Sequence, residues 1–339
     1  MTRNPWQAWL LWVKGACHRR VRTTQRHPRA AGSHSRAGHR RVGTIRPAPQ
    51  SKMGPAPQRF GETKVGMKHW RLEDVQWDRF DPRKCDPSLV ALVKAAAMVE
   101  RNGTDYGTYL NRVFHDDPAF QAAADNWSVE EIQHGDALGR WAMLADPGWN
   151  YEQAFARYKE GYHLPLLEAS TSVRGSRSGE LIARCIVESG TSSYYSALAD
   201  ATEEPVLQQV CRLIAADEFR HFKLFYDHLK RYLQRERIGL LGRLRIALGR
   251  VGESEDDELA YAYHCSNNAP GDAYDHDRCI ASYMSRAMAA YRYRHLERGI
   301  GMILKAIGLP PRGRFSAAVV GLSWRFMKRR QRRFATLAA

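Results

Sequence analysis

Between residues 88 and 233 apolar side chains recur every three to four positions, with polar ones on the intervening faces. That period describes one stripe of an α-helix. After the turn-rich DPRKCDPS, a stripe runs Leu89, Leu92, Val93, Ala96, Glu100, Gly103, Gly107 and Leu110, and predicts a first helix over about 88–113. DDPAFQAAADNWSVEEIQHGDALGRWAML predicts a second over about 118–144, ended by DPGWN. A short helical stretch near 151–161 and the turn-rich EASTSVRGSRSG follow. Leu181, Cys185, Glu188, Ser192 and Tyr195 mark a third helix over about 179–199. Leu207, Val210, Cys211, Ile214, Glu218, His221 and Phe225 mark a fourth over about 204–233. Residues 258–308 read as one or two further helices, and 316–337 as a basic helix or tail.

No strand-like alternation competes, so the fold class is all-α. Short turns join helices one and two, and helices three and four, which makes each pair an antiparallel hairpin. Some 35 residues separate the hairpins, enough to cross a bundle. One long crossover between two hairpins is the connectivity of a ferritin-like four-helix bundle, here with extra C-terminal helices.

Each of the four stripes carries polar residues where apolar ones belong. Helix one offers Glu100, helix two Glu131 and His134, helix three Glu188, helix four Glu218 and His221. A carboxylate buried alone costs several kcal/mol. Four in one core would repel and protonate unless positive charge sat among them. Two divalent cations balance four carboxylates, and two imidazoles add nitrogen ligands. Residues three apart share a helix face, so each Glu-x-x-His can reach one centre. The order Glu, Glu-x-x-His, Glu, Glu-x-x-His is the pattern of carboxylate-bridged dinuclear sites. The intervals from lone to paired Glu are 31 and 30 residues, two near-equal halves. Glu130 and Asp217 precede the paired glutamates at matched positions. They read as acids accepting a hydrogen bond from a ligand histidine on the facing helix. Thr191 lies one turn after Glu188 and offers either a backbone-bonded hydroxyl or one facing the metals. Tyr194 and Tyr195 read as core, and His228 as a rim residue.

Charge redraws the ends of the chain. The net charge of +16 suggests a polyanion binder, yet residues 1–66 hold 14 Lys/Arg and one acid, and 312–339 hold eight and none. Subtracting, 16 − 13 − 8 leaves −5 for residues 67–311, so the body argues against nucleic acid as a partner. Residues 1–66 lack an apolar period and read as a disordered extension, or as sequence upstream of a natural start at Met67. A nucleic-acid-binding arm and an Arg-rich transit peptide are the alternatives. The metal site belongs to 67–311, and 312–339 is a separate basic segment. Six scattered cysteines without a C-x-x-C pair make a reducing cytoplasm the default, and no apolar run is long enough to span a bilayer.

At these residues the chain resembles the soluble acyl-carrier-protein desaturases, a branch of the ferritin-like di-iron proteins. WSVEEIQHGD is similar to that family's E-E-x-x-H-G-D segment, IAADEFRHF to its A-A-D-E-x-R-H segment, and ESGT to its third-helix motif. The resemblance covers about 88–233. It implies two iron ions bound by Glu131, His134, Glu188, Glu218 and His221, with Glu100 matched by helix position alone. It also implies an oxygen-side role for Thr191 and a supporting one for Asp217. The implied reaction is an O2-dependent oxidation: desaturation, or hydroxylation, of a fatty acyl chain on acyl carrier protein. Electrons would come from a ferredoxin-like donor, since no dinucleotide fingerprint is present, and a homodimer is expected. The body is shorter than in the plant enzymes, which leaves the acyl substrate open.

Rival readings keep the metals and change the chemistry. They are a quinone or tRNA-base hydroxylase, a rubrerythrin-type peroxidase, and an iron-handling ferroxidase. Manganese also occupies such donor sets. The segment Phe315 to Leu337 mixes apolar residues with Arg and Lys. It reads as a solvated tail or as a helix docking on an anionic inner-membrane surface.

Overall fold

A computed structural model describes residues 69–164, 167–253 and 257–338. The chain divides into Met1–His69 and Trp70–Ala339, and the elements below belong to the second unit. The expectations for residues 1–66 lie outside the described residues.

Three single-turn 3₁₀ helices between Leu72 and Lys84 precede eleven α-helices. These are α1 (Pro87–Arg101), α2 (Gly103–Val113), α3 (Pro118–Ala145), α4 (Tyr151–Gly161), α5 (Arg177–Ala201) and α6 (Pro205–Glu236). They continue with α7 (Leu240–Gly252), α8 (Asp257–Asn267), α9 (His276–Ala290), α10 (Tyr293–Ile307) and α11 (Arg314–Ala338). No strand occurs among the described residues. The starts are written locally. Asp86, Asp117 and Glu204 each accept a hydrogen bond from a backbone N–H of the first turn, and each precedes a proline at the first helical position. Proline there loses no hydrogen bond, and the acidic cap satisfies an otherwise orphaned donor.

The direction of the long helices follows from two apolar clusters. Leu92, Met98, Leu138, Trp141, Leu198, Leu207 and Ile214 belong to one. Leu110, Phe114, Phe120, Trp127, Leu181, Ile182, Phe225 and Leu229 belong to the other. The α1–α2 pair therefore runs from the first cluster to the second, α3 returns, α5 runs parallel to α3, and α6 is antiparallel to α5. The connection from α3 to α5 must span the length of the bundle, and α4 lies within it, packed on α8. The six polar stripe residues fall between the two apolar ends.

Two expectations need correction. The first helix is not continuous: it breaks at Asn102, whose backbone leaves the helical geometry at ψ 6°. Asn-Gly is a poor helix pair, and both groups of the Asn102 amide are occupied. Lys159 Nζ donates to its Oδ1 at 2.8 Å, and its Nδ2 donates to Glu258 at 3.3 Å. Gly103 then lies so close to α3 that a Cβ there would sit 2.6 Å from the Glu131 Cβ. Beyond the bundle, residues 257–307 form three helices rather than one or two, and α7 is one that the sequence did not show. α8 covers α1, α10 covers α5, and α9 lies between α8 and α11. None of the described helices is long and apolar enough to cross a membrane.

Candidate metal centre

The stripes bring six side chains to the middle of the bundle. Glu100, Glu131, His134, Glu188, Glu218 and His221 are all buried, none more than 7% exposed. They form two overlapping groups: Glu100, Glu131, His134 and Glu218, and Glu131, Glu188, Glu218 and His221. Within each group one potential ligand atom per residue lies within 4.8 Å of the others. Glu131 and Glu218 belong to both, so each carboxylate can bridge two ions.

The distances are those of a donor cage. His134 Nδ1 lies 3.2 Å from Glu218 Oε1, 3.7 Å from Glu131 Oε2 and 3.8 Å from Glu100 Oε2. His221 Nδ1 lies 3.1 Å from Glu131 Oε1, 3.7 Å from Glu188 Oε2 and 3.9 Å from Glu218 Oε2. Both imidazoles turn Nδ1 inward because Nε2 is held outside. His134 Nε2 meets Asp217 Oδ2 at 3.1 Å, and His221 Nε2 meets Glu130 Oε2 at 2.7 Å. A carboxylate on the far nitrogen fixes ring orientation and raises the basicity of the near one.

Four buried atoms of the cage have no hydrogen-bond partner: His134 Nδ1, His221 Nδ1, Glu188 Oε1 and Glu218 Oε1. Buried polar atoms are otherwise almost always satisfied. Four orphans converging on one place, with a carboxylate and imidazole donor set, could hold metal ions.

The electrostatics of the cage reflects the same crowding of acids and imidazoles. Burial and the surrounding carboxylates push Glu100 and Glu188 well above the ordinary carboxylate range. Burial works against ionisation of Glu131 and Glu218 too. The two histidines facing them overcome it and hold both acids down. Burial likewise opposes charge on His134 and His221. Asp217 on His134, Glu130 on His221 and the glutamates around them drive both histidines well above their usual value.

Further partners trim the cage. Thr191 Oγ1 lies 2.5 Å from Glu218 Oε2, and 3.2 and 3.3 Å from the carbonyls of Val187 and Glu188. Its one proton goes to the nearest acceptor, the bridging carboxylate. Tyr195, read from the sequence as core, is buried there and donates its phenolic proton to Glu100. Its place on the Glu188 stripe, seven residues on, was the available signal. Trp70 had none, for it precedes every long helix. Its indole N–H donates to Asp217 at 2.7 Å and its ring stacks on His134, with centroids 6.1 Å apart. Arg220 donates to both Asp217 and Glu130, joining the two outer carboxylates. Burial notwithstanding, the hydrogen bonds to His134 and Arg220 bring Asp217 down to about 2. Tyr194 packs beside Tyr195, and His228 lies against Phe120 with Arg231 on its Nδ1. Neither joins the cage.

The arrangement, a buried cage of carboxylates and imidazoles that could hold metal, therefore rests on this chain's own chemistry. No protein-family model matches the chain, and comparison with curated proteins gives no match.

Proposed function

We propose that the chain is an O2-dependent di-iron oxidoreductase built on a ferritin-like bundle, and that it desaturates, or hydroxylates, a fatty acyl chain. One observation carries this reading: two four-residue donor groups, each with a Glu-x-x-His, share Glu131 and Glu218 in a dry core. Two iron ions bound there would supply the two-electron activation of O2 that such an oxidation requires. Manganese would suit the same donors.

The residues around the cage have definable tasks. Glu131 and Glu218 would be shared by the two ions, and Glu100 and Glu188 would each serve one. Asp217 and Glu130 orient the imidazoles, His134 and Arg220 keep Asp217 ionised, and Trp70 donates a hydrogen bond to it. Thr191 donates a hydroxyl hydrogen bond to the Glu218 carboxylate and could serve a small ligand of the metals. The apolar cluster of Leu110, Phe114, Phe120, Leu181, Ile182 and Phe225 keeps water from one side of the cage, as abstraction from an unactivated C–H bond demands. Desaturation removes two hydrogens from the chain and reduces O2 to two waters, so two further electrons and two protons are needed. A ferredoxin-like donor fits that need, and acyl carrier protein fits the substrate.

Lipid profiling of a deletion strain against its parent tests the reading. Loss of one unsaturated or hydroxylated acyl species is the expected result. An unchanged acyl profile in a strain whose purified protein holds two irons would move the reading to a quinone or tRNA-base hydroxylase, a peroxidase, or a ferroxidase.

A further inference from the structure

The surface is uneven in a way the metal centre does not explain. Of the described large hydrophobic residues that are exposed, four lie on α7 (Leu240, Leu241, Leu248, Val251) and four on α11 (Phe315, Leu322, Phe326, Leu337). Among these described residues Leu241 is the most exposed, at 83%. On α7 only Ala247 is buried, so the helix turns Leu241, Leu248 and Val251 outward at helical spacing. On α11 the exposed stripe runs Phe315, Leu322, Phe326, Arg329 and Arg333, apolar first and basic after. Ordinary surface helices bury such stripes.

The charge on these helices has one sign. α7 carries Arg243, Arg245 and Arg250, and α11 carries seven Lys/Arg; neither contains an acid. Both rest on α10. Arg243 Nη1 donates to the Ile307 carbonyl at 3.3 Å, and the Tyr293 ring meets Trp324 edge-on at 5.8 Å. Cations lie over aromatic faces, Lys328 on Trp324 at 4.8 Å and Arg330 on Phe326 at 5.6 Å. Long basic side chains with aromatic and aliphatic neighbours suit the boundary between headgroups and acyl chains.

We propose that α7 and α11 dock the protein on an anionic lipid bilayer, lying in the interface rather than crossing it. The chemistry selects this occupant. A nucleic acid would use the cations and gain nothing from exposed Leu and Phe. A second copy meeting face to face would set exposed cations such as Arg245, Arg329, Arg332 and Arg333 against their own kind. An anionic bilayer satisfies both halves of the surface, phosphate against Arg and Lys, acyl chain against Leu and Phe. The proposal stands independently of the metal centre.

Cosedimentation of the full chain with phosphatidylglycerol-containing vesicles, against pure phosphatidylcholine, tests it. Two triple variants are compared with the parent: Arg329→Gln/Arg332→Gln/Arg333→Gln, and Leu241→Ser/Leu248→Ser/Leu322→Ser. The parent is expected to bind anionic vesicles and release in high salt. The charge variant should partition about a hundredfold less, and the apolar variant at least about tenfold less. Equal binding by parent and both variants, with attachment through the basic residues 1–66, overturns the proposal. Absent binding of the parent overturns it too. A charge variant that fails beside an apolar variant that binds normally marks a general polyanion site and also overturns it. So does a concentration-dependent dimer that the apolar variant dissociates, since a second copy would then cover the face. Far-UV circular dichroism checks both variants, and the single change Leu322→Ser replaces the apolar triple if helix is lost.

Discussion

The two hairpins supply the same candidate donors from unlike surroundings. In the α5–α6 hairpin, the residues three and seven beyond the lone ligand Glu188 are Thr191 and Tyr195. In the α1–α2–α3 hairpin, the same steps beyond Glu100 reach Gly103 and Gly107. Added Cβ atoms at these glycines would lie 2.6 Å from Glu131 Cβ and 2.9 Å from Ser128 Cβ. One hairpin spends these positions on hydroxyls that touch Glu218 and Glu100, the other on close helix contact. A near-symmetric frame of candidate donors thus has asymmetric surroundings. The side bearing Thr191 presents a hydroxyl to Glu218, and the glycine side is closed by packing.

The sharpest test sets shared ligands against unshared ones. Glu218→Ala should lower bound iron from about two per chain to almost none, measured by atomic absorption, with helical circular dichroism retained. Glu188→Ala removes a ligand from one donor group only and should leave about one ion. Equal losses in the two variants would break the division into two groups.

Next comes the glycine side. Gly103→Ala should cost about 1–3 kcal/mol in denaturant unfolding, because neither Glu131 nor the α3 backbone can yield. A variant as stable as the parent would show that the close approach is dispensable.

The outer carboxylates rank below these. Asp217→Asn and Glu130→Gln should each weaken metal binding by about 10–100-fold. Asp217 should matter more, since its side chain is 5% exposed against 18% for Glu130 and also holds Trp70. Titration with metal in a chelator-buffered series decides the order.

Acidity offers a fourth measurement. The raised values of His134 and His221, and of Glu100 and Glu188, mean that the metal-free cage holds protons which the ions must displace. Apparent affinity should therefore rise with pH, and loading should release protons. Calorimetry in buffers of different ionisation enthalpy counts them, and a count of zero would contradict a metal-free cage that holds protons.

Thr191→Val is the smallest change. It removes one hydrogen bond, about 0.5–1.5 kcal/mol, and should leave iron content unaltered while changing O2 consumption by the reduced protein. Unchanged consumption would reduce Thr191 to a packing residue.

Much of the frame was legible because helical periodicity is local. The stripes through Leu92, Leu138, Leu181 and Leu207 needed only spacing. Glu-x-x-His pairs stood out because charge sat where periodicity called for apolar atoms. The break at Asn102 was not legible, since it depends on Lys159 and Glu258 arriving from distant helices. α7 was not legible either, because its apolar stripe faces outward. The adjacent sequence carries more Arg than a core-facing helix would.

The order of Glu and His along the chain determined which side chains share a helix face, since residues three and four apart always do. Only the tertiary structure decided what stands behind them: Trp70 on Asp217, Arg220 between two carboxylates, Tyr195 on Glu100. Those contacts join residues up to 147 positions apart. Spacing along one helix cannot encode them, because which side chains meet across a bundle depends on how the helices pack against each other.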